Sequence, residues 1–223
     1  EILIGLVGSE MCIRDRSKID MTTNDVTYSF KYDFICDGVT TSKTVVTGLT
    51  VTQFTWTPTT EIFAPLMTKS DQGTLKIAIE SSNGRRMAYY ATITLKLKAS
   101  IKPSVKFQYA GLPGFNNKAI AGISSFTFTI NVPGVYGASQ TVKLTINNTD
   151  YIQNVPAVSR TTNTAVTFDV GTFTCNDPTA TYTRWFFTIE ITDSRGRSVS
   201  QMDWITVYPY SPPDVVAVSY THL

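Results

Sequence analysis

Few residues in this 223-residue chain belong to types that do covalent chemistry. There is one histidine, His222, and there are three cysteines, Cys12, Cys36 and Cys175. A Ser–His or Cys–His nucleophile pair needs an imidazole beside the hydroxyl or thiol, and so does a His-containing zinc site. Asp193, with Asp203 beyond it, raises the question of calcium between β domains. Calcium takes six or more oxygens, usually from several carboxylates close together, and here the acidic residues are scattered. Asn147-Asn148-Thr149 has the pattern of a glycosylation acceptor. Paired carboxylates for glycoside hydrolysis need no histidine, but such sites sit in a larger scaffold with a deep cleft. No glycine-rich loop follows a strand and opens a helix. The chain is read as non-enzymatic, with no catalytic residue, no metal ligand and no cofactor.

The two ends carry a relation visible only in codons. Glu10 to Asp15, EMCIRD, can be written GAG ATG TGT ATA AGA GAC, whose reverse complement translates as VSYTHL, residues 218–223. One DNA segment read in both directions encodes both ends, and it resembles the transposon end used to fragment DNA for sequencing libraries. Glu1 to Gly5 fit adapter plus index. EILIGLVG is not a signal peptide, having no positive start, a short apolar run and no small-residue cleavage site. Residues 1–16 and 218–223 are therefore read as adapter-derived, and the segment between them as cut from a longer protein. Both ends are expected to have no consistent place in the fold. Setting them aside removes His222 and Cys12, leaving no histidine and two lone cysteines, Cys36 and Cys175, one in each half of the chain. Isolated cysteines of this kind are usually small buried apolar groups.

Charge excludes further classes. The 19 Lys and Arg against 17 Asp and Glu give a formal net charge of +2. Without the ends the count is 17 basic and 14 acidic residues, net +3. The basic residues form no run longer than Arg85-Arg86, so no nucleic-acid partner is implied. No stretch approaches the ~20 apolar residues of a membrane span. The side chains that could contact a surface are aromatic. Trp56, Trp185 and Trp204 stand on predicted strands, where core packing competes with glycan stacking. Tyr89, Tyr90, Tyr208 and Tyr210 flank domain ends, where packing at junctions competes with ligand contact. Trp56, Trp204, Tyr208 and Tyr210 are the candidate surface-binding residues.

The elements that must position these residues are short alternating runs rich in Thr, Val, Ile, Tyr and Phe. VTYSFKYDF (26–34), TLKIAIE (74–80), ATITLKLK (91–98), SFTFTIN (125–131) and QTVKLTIN (140–147) are typical. In SFTFTI the residues Phe126, Phe128 and Ile130 point one way, and Thr127 and Thr129 the other. Many short strands with frequent turns predict an all-β fold of sandwich type. TTEIFAPLM (59–67) predicts one short turn of helix in a connection, limited by Pro65.

The chain repeats itself. TLKIAIESSNGRR (74–86) aligns with FFTIEITDSRGRS (186–198) at an offset of 112, and FTW (54–56) sits opposite VTF (166–168) at the same offset. Asn83-Gly84 suits a tight hairpin turn, and Asp193-Ser194-Arg195-Gly196 suits a type I turn closed by a left-handed glycine. Proline-containing linkers, KASIKPSVKF (98–107) and YPYSPPDVV (208–216), follow each hairpin as semi-stiff strings. The division is two tandem immunoglobulin-like β-sandwich domains, 17–101 and 102–211, with 212–217 opening a linker or third domain.

ITDSRGRSVSQMDWITVYPYSPP (191–213) and VYGAS (135–139) resemble segments of tail-associated structural proteins of siphoviruses. The first unit resembles the preceding domain of a siphovirus family of uncharacterised function, through YSFKYDF (28–34), FTWTP (54–58), GTLKIAIES (73–81) and IKPSV (101–105). SSNG in place of DSRG marks it as a diverged copy. The resemblance implies a virion protein at the tail or tail tip, acting as spacer, decoration or host-surface contact. Its implied partners are other virion tail proteins and a host cell-surface glycan or protein. Alternative readings are a repeat segment of a bacterial surface adhesin, extracellular or at the cell surface, and an accessory carbohydrate-binding module of a secreted hydrolase.

Overall fold

A computed structural model describes residues 3–6, 11–14, 27–50, 55–82, 91–110, 117–175, 177 and 179–211. The chain is all-β and forms two tandem sandwich units.

In the second unit, alternation decides which residues go inward. Strands β8 (Lys106–Ala110), β10 (Ser125–Pro133) and β13 (Asn163–Thr172) form one sheet in the order β13-β10-β8. Strands β9 (Lys118–Ile120), β11 (Gln140–Ile146), β12 (Thr149–Val155), β14 (Thr183–Asp193) and β15 (Ser198–Tyr208) form the other, in the order β12-β11-β14-β15-β9. The first strand of the unit is thus split, β8 lying in one sheet and β9 in the other. The second and fifth strands join β8, as in the immunoglobulin-like sandwich. Phe126, Phe128, Ile130 and Val132 of β10 are fully buried against Leu144, Phe187, Ile189 and Ile205 of the facing sheet. Phe128 and Phe187 meet edge-on with centroids 4.8 Å apart. Each such side chain contributes about 1.5–3 kcal/mol by leaving water.

The first unit repeats this plan. Strands β3 (Tyr28–Cys36), β4 (Val39–Leu49), β6 (Gln72–Ser81) and β7 (Ala91–Lys96) give the order β4-β3-β6-β7, matching β12-β11-β14-β15. An offset of 112 carries Tyr28↔Ser81 onto Gln140↔Asp193, so the repeat found in one hairpin extends to the β3–β6 pairing, whereas β6–β7 departs by two residues, Ile77 facing Ala91 where Ile189 faces Gln201. Both β3–β4 and β11–β12 hairpins turn on two residues with positive φ, Asp37-Gly38 and Asn147-Asn148. This is the turn whose twist matches that of the flanking strands. The sequon asparagines therefore have a structural role in the turn. The second layer of the first unit is thinner. It holds β5 (Thr55–Trp56) together with a helical connection, α1 (Thr60–Phe63) running into a 3-10 turn (Ala64–Leu66). The helix falls where it was expected. Phe63 and Met67 plug the sheet against Tyr32, Phe34, Leu75 and Ile77.

One expectation about the ends needs correction. Leu3–Leu6 (β1) and Met11–Arg14 (β2) form an antiparallel pair, and β2 pairs with β5 through Ile13↔Trp56 and Arg14↔Thr55. The order β1-β2-β5 matches β8-β10-β13. The physical reason is available backbone: β5 presents unpaired N–H and C=O groups, which a short apolar strand satisfies. The register does not follow the repeat. Phe128 faces Phe168 in the second unit, which at the offset of 112 would put Arg16 opposite Trp56, three residues from the Ile13 found there. Residues 218–223, the 212–217 linker, Tyr89, Tyr90 and the Asn83-Gly84 turn lie outside the described residues.

Candidate functional site: the junction and an aromatic face

The turn between β14 and β15 has the form its sequence predicts. The Gly196 N–H donates to the Asp193 carbonyl at 2.9 Å, and Gly196 has φ 81°. The Asp193 carboxylate accepts the backbone N–H groups of Arg195 and Arg197 through Oδ1, both at 3.0 Å. Asp193 is thus a turn-former. The turn presents Ser194, Arg195 and Arg197 at one end of the unit, and all three reach the first unit.

Arg195 is the centre of the junction. Its side chain and that of Asp193 are both 0% exposed. Its guanidinium donates to the carbonyls of Met67 at 2.5 Å and Ala64 at 3.0 Å in the first unit. It also donates to Tyr136 at 2.8 Å and Val135 at 3.2 Å in the second. A planar fork with five donors suits this arrangement; a lysine would place one point charge there. Burial pulls the Arg195 pKa below its ordinary value, and the Asp193 charge, 3.6 Å away, opposes that. Asp193 Oδ2 has no hydrogen bond of its own among the described residues, so the pair is held by charge while the donors go to backbone.

Arg197 secures the linker. It donates to the carbonyls of Ile101 at 2.5 Å, Lys98 at 2.8 Å and Leu97 at 3.3 Å, and lies 3.4 Å from the Asp71 carboxylate. The Ser194 hydroxyl donates to the Thr68 carbonyl. The VYGAS loop completes the contact. A Cβ on Gly137 would lie 3.2 Å from the Pro65 carbonyl oxygen, so glycine lets the two units approach. The linker differs from the semi-stiff string expected from its proline. Two of its carbonyls, and that of Leu97 just before it, are bound from the next unit, and Pro103 is buried. Beside the contact lies a cleft of about 660 Å³, where Tyr136 and Arg160 face Glu61.

The candidate aromatics do not form one site. Trp56 is half-buried and packs against the core of the first unit, stacked on Tyr32 at 5.3 Å and edge-on to Phe63 at 6.0 Å, away from the other candidates. Trp185 packs edge-on against Phe173, 5.1 Å away, in the second core. Trp204 is 41% exposed on the outer face of β15, with Tyr208 further along the strand and Tyr210 beyond its end. Tyr208 packs beside Tyr182 at 6.3 Å. It lies some ten strand residues, about 33 Å, from the junction turn. Three neighbours of Trp204 were not anticipated: Phe186 at 55% and Met202 at 68% exposure, and Arg184 stacked 5.5 Å from its ring. The signal was parity. On β14 the inward positions are Trp185, Phe187, Ile189 and Ile191, which leaves Phe186 pointing out. On β15, Met202 and Trp204 are out of phase with Ile205 and Val207.

Cys36 carries no reactive chemistry at this geometry. Burial, aided by the neighbouring Asp37 charge, pushes the Cys36 thiol up to about 11. Cys175 is half-buried, its thiol donating to the Asp177 carbonyl at 3.1 Å.

These features define a tandem immunoglobulin-like sandwich protein with a bonded joint. No protein-family model matches the chain, and no curated protein matches it in sequence. Among solved structures, red sea bream transglutaminase aligns over 91% of this chain and 29% of its own, at 8% identity and TM-score 0.35. A structure concerning host cell surface retention of a 1.5-MDa bacterial ice-binding adhesin aligns over 91% of this chain and 58% of its own, at 16% identity and TM-score 0.30. The chain spans less than two thirds of either, and likeness at this level carries no functional argument.

Proposed function

We propose that the chain is a non-enzymatic structural segment of a phage tail or tail-tip protein. Its two sandwiches are held at a set angle so that neighbouring modules, or a host-contacting surface, are presented at a fixed distance. The observation that carries this reading is the Arg195 and Arg197 clamp. The two stretches that resemble siphovirus tail proteins, ITDSRGR and VYGAS, supply its two sides in the second unit. A motif at a joint is what a spacer requires, since the joint sets its geometry. The residues 1–16 and 218–223 are proposed to derive from an adapter. The codon relation between Glu10–Asp15 and residues 218–223 supports that reading.

The joint is tested by small-angle scattering on the native chain and on the Arg195→Ala, Arg197→Ala double variant. The native chain should give one narrow distance distribution. The variant should broaden it, with both sandwiches still folded by circular dichroism. A variant with unchanged scattering would remove the clamp from the reading. The tail assignment is tested by the uncut genomic segment: a neighbouring tape-measure or tail-tip gene is expected, and a wall-anchored gene without phage neighbours would overturn it. For the ends, a chain of residues 17–217 should melt within about 2 °C of the full chain. A drop of several degrees would make β1 and β2 native elements.

A further inference from the structure

The outer face of the second unit's five-stranded sheet carries a row of side chains with no part in the core. Phe186 lies directly opposite Trp204 in register, Arg184 opposite Thr206, and Thr188 opposite Met202. Tyr182 and Tyr208 continue the row. The Arg184 guanidinium sits 5.5 Å from the Trp204 ring and 5.8 Å from the Tyr182 ring, and the Lys118 ammonium sits 5.9 Å from Tyr208. Beside Phe186, a groove of about 360 Å³ runs to the β11–β12 turn, lined by Thr145, Asn147, Asn148, Thr183 and Thr188.

We propose that this face binds an acidic saccharide, a glycan bearing ring carboxylates. Exposed rings clustered on one face mark a contact surface, whereas scattered ones do not. They stand on a rigid sheet, so ordering them on binding costs little entropy. A flat ring beside hydroxyls and amides suits a ligand with an apolar C–H face and a polar rim, which is a sugar ring. Charge selects among sugars. Arg184 and Lys118 are both cationic, while Glu190, the outward carboxylate on β14, is four residues from Phe186, about 13 Å along the strand, and the Asp150 carboxylate beside Thr145 is neutralised by Lys143 at 2.8 Å. Asp203 is turned the other way, interacting with Tyr109 of the core. An anionic ligand is therefore complementary. Nucleic acid would also stack and carry charge, but its affinity scales with the number of phosphates neutralised. Two cations on a chain of net charge +2 supply little of that. The inference deepens the host-contact part of the proposed function and rests on it only there, since the clamp lies at the other end of the unit.

The test is affinity electrophoresis of the full chain through gels containing polygalacturonate, its fully methyl-esterified form as the uncharged counterpart, or hyaluronan. Oligothymidylate serves as competitor. Polygalacturonate or hyaluronan should retard the chain, and the ester should bind at least about tenfold more weakly. Trp204→Ala and Phe186→Ala should each weaken binding by about tenfold, as loss of one stacking contact. Arg184→Gln should abolish the preference for acid over ester. All three should keep the native melting profile, and Arg195→Ala should keep binding. No retardation by either acidic polymer, equal binding of acid and ester, or no effect of the aromatic variants would overturn the proposal. Tighter binding of oligothymidylate through the same residues would replace the saccharide by nucleic acid.

Discussion

At the scale of the residue, several positions are fixed by what lies one contact away. Gly73 is the clearest. A Cβ there would come within 2.2 Å of the Phe34 ring, which is fully buried. Gly73→Ala therefore forces Phe34 out of its position and should destabilise the first unit by about 1–3 kcal/mol, the usual range for overpacking. Calorimetry should show the first unit melting ahead of the second, where the native chain melts in one transition. Cys36 makes a second prediction. With its thiol raised to about 11, it stays protonated at neutral pH and is a poor nucleophile. In a Cys12→Ser, Cys175→Ser variant, a thiol reagent at pH 8 should leave the native chain unlabelled and label it fully in denaturant. Rapid labelling without denaturant would contradict the burial of Cys36.

At the scale of the element, the β3–β4 hairpin is tied to the connection that feeds the clamp. The Asp37 carboxylate accepts the Lys69 N–H at 2.9 Å, beside the Met67 and Thr68 carbonyls used by Arg195 and Ser194. Burial works to raise the Asp37 pKa, but the hydrogen bonds from Lys69 and Ser70 outweigh it and the net shift is downward. A lowered carboxyl pKa means the stabilisation is fully present above the unfolded value of about 3.9 and is lost as pH falls through the lower folded value. The Lys69 amide resonance should titrate with a midpoint below about 3.9. Asp37→Asn should remove that titration and leave neutral-pH stability little changed.

Much of this level was legible from period and turn chemistry. The alternation in SFTFTI placed Phe126, Phe128 and Ile130 inside, and DSRG specified its own turn. The packing of Trp56 on Tyr32 was not legible, because a tryptophan on a two-residue strand has no period to show its side. The clamp was not legible for a different reason. Arg195 and Arg197 bond to backbone carbonyls, which carry no sequence signature, on segments about 100–130 residues away. Only the retention of Arg85 at the place of Arg197 hinted that the arginine did more than cover a turn.

At the scale of the whole molecule, the joint couples two units that each have their own core. Removing one partner of a buried charge pair costs about 3–5 kcal/mol, and here it also frees the donors' carbonyl partners. Arg195→Ala should separate a shared melting transition into two, with the first unit melting earlier once its contact is lost. Arg195→Lys should rescue little, since one ammonium cannot serve carbonyls on both sides. A single transition retained in both variants would show that the linker alone holds the units.

The short parallel pairing of β9 with β15 bears on how such a chain carries load. Thr206↔Lys118, Val207↔Ala119 and Tyr208↔Ile120 join a strand near the start of the second unit to its last strand. Tension applied through the chain on both sides of the unit pulls those strands lengthwise in opposite directions. Their hydrogen bonds then lie across the force and must yield in concert, whereas an antiparallel hairpin pulled from its open end unzips one bond at a time. The patch is a shear lock on the path between the clamp and whatever follows Ser211. A pulling experiment should find the second unit giving way at higher force than the first, whose sheet ends on β7 without a parallel neighbour among the described residues.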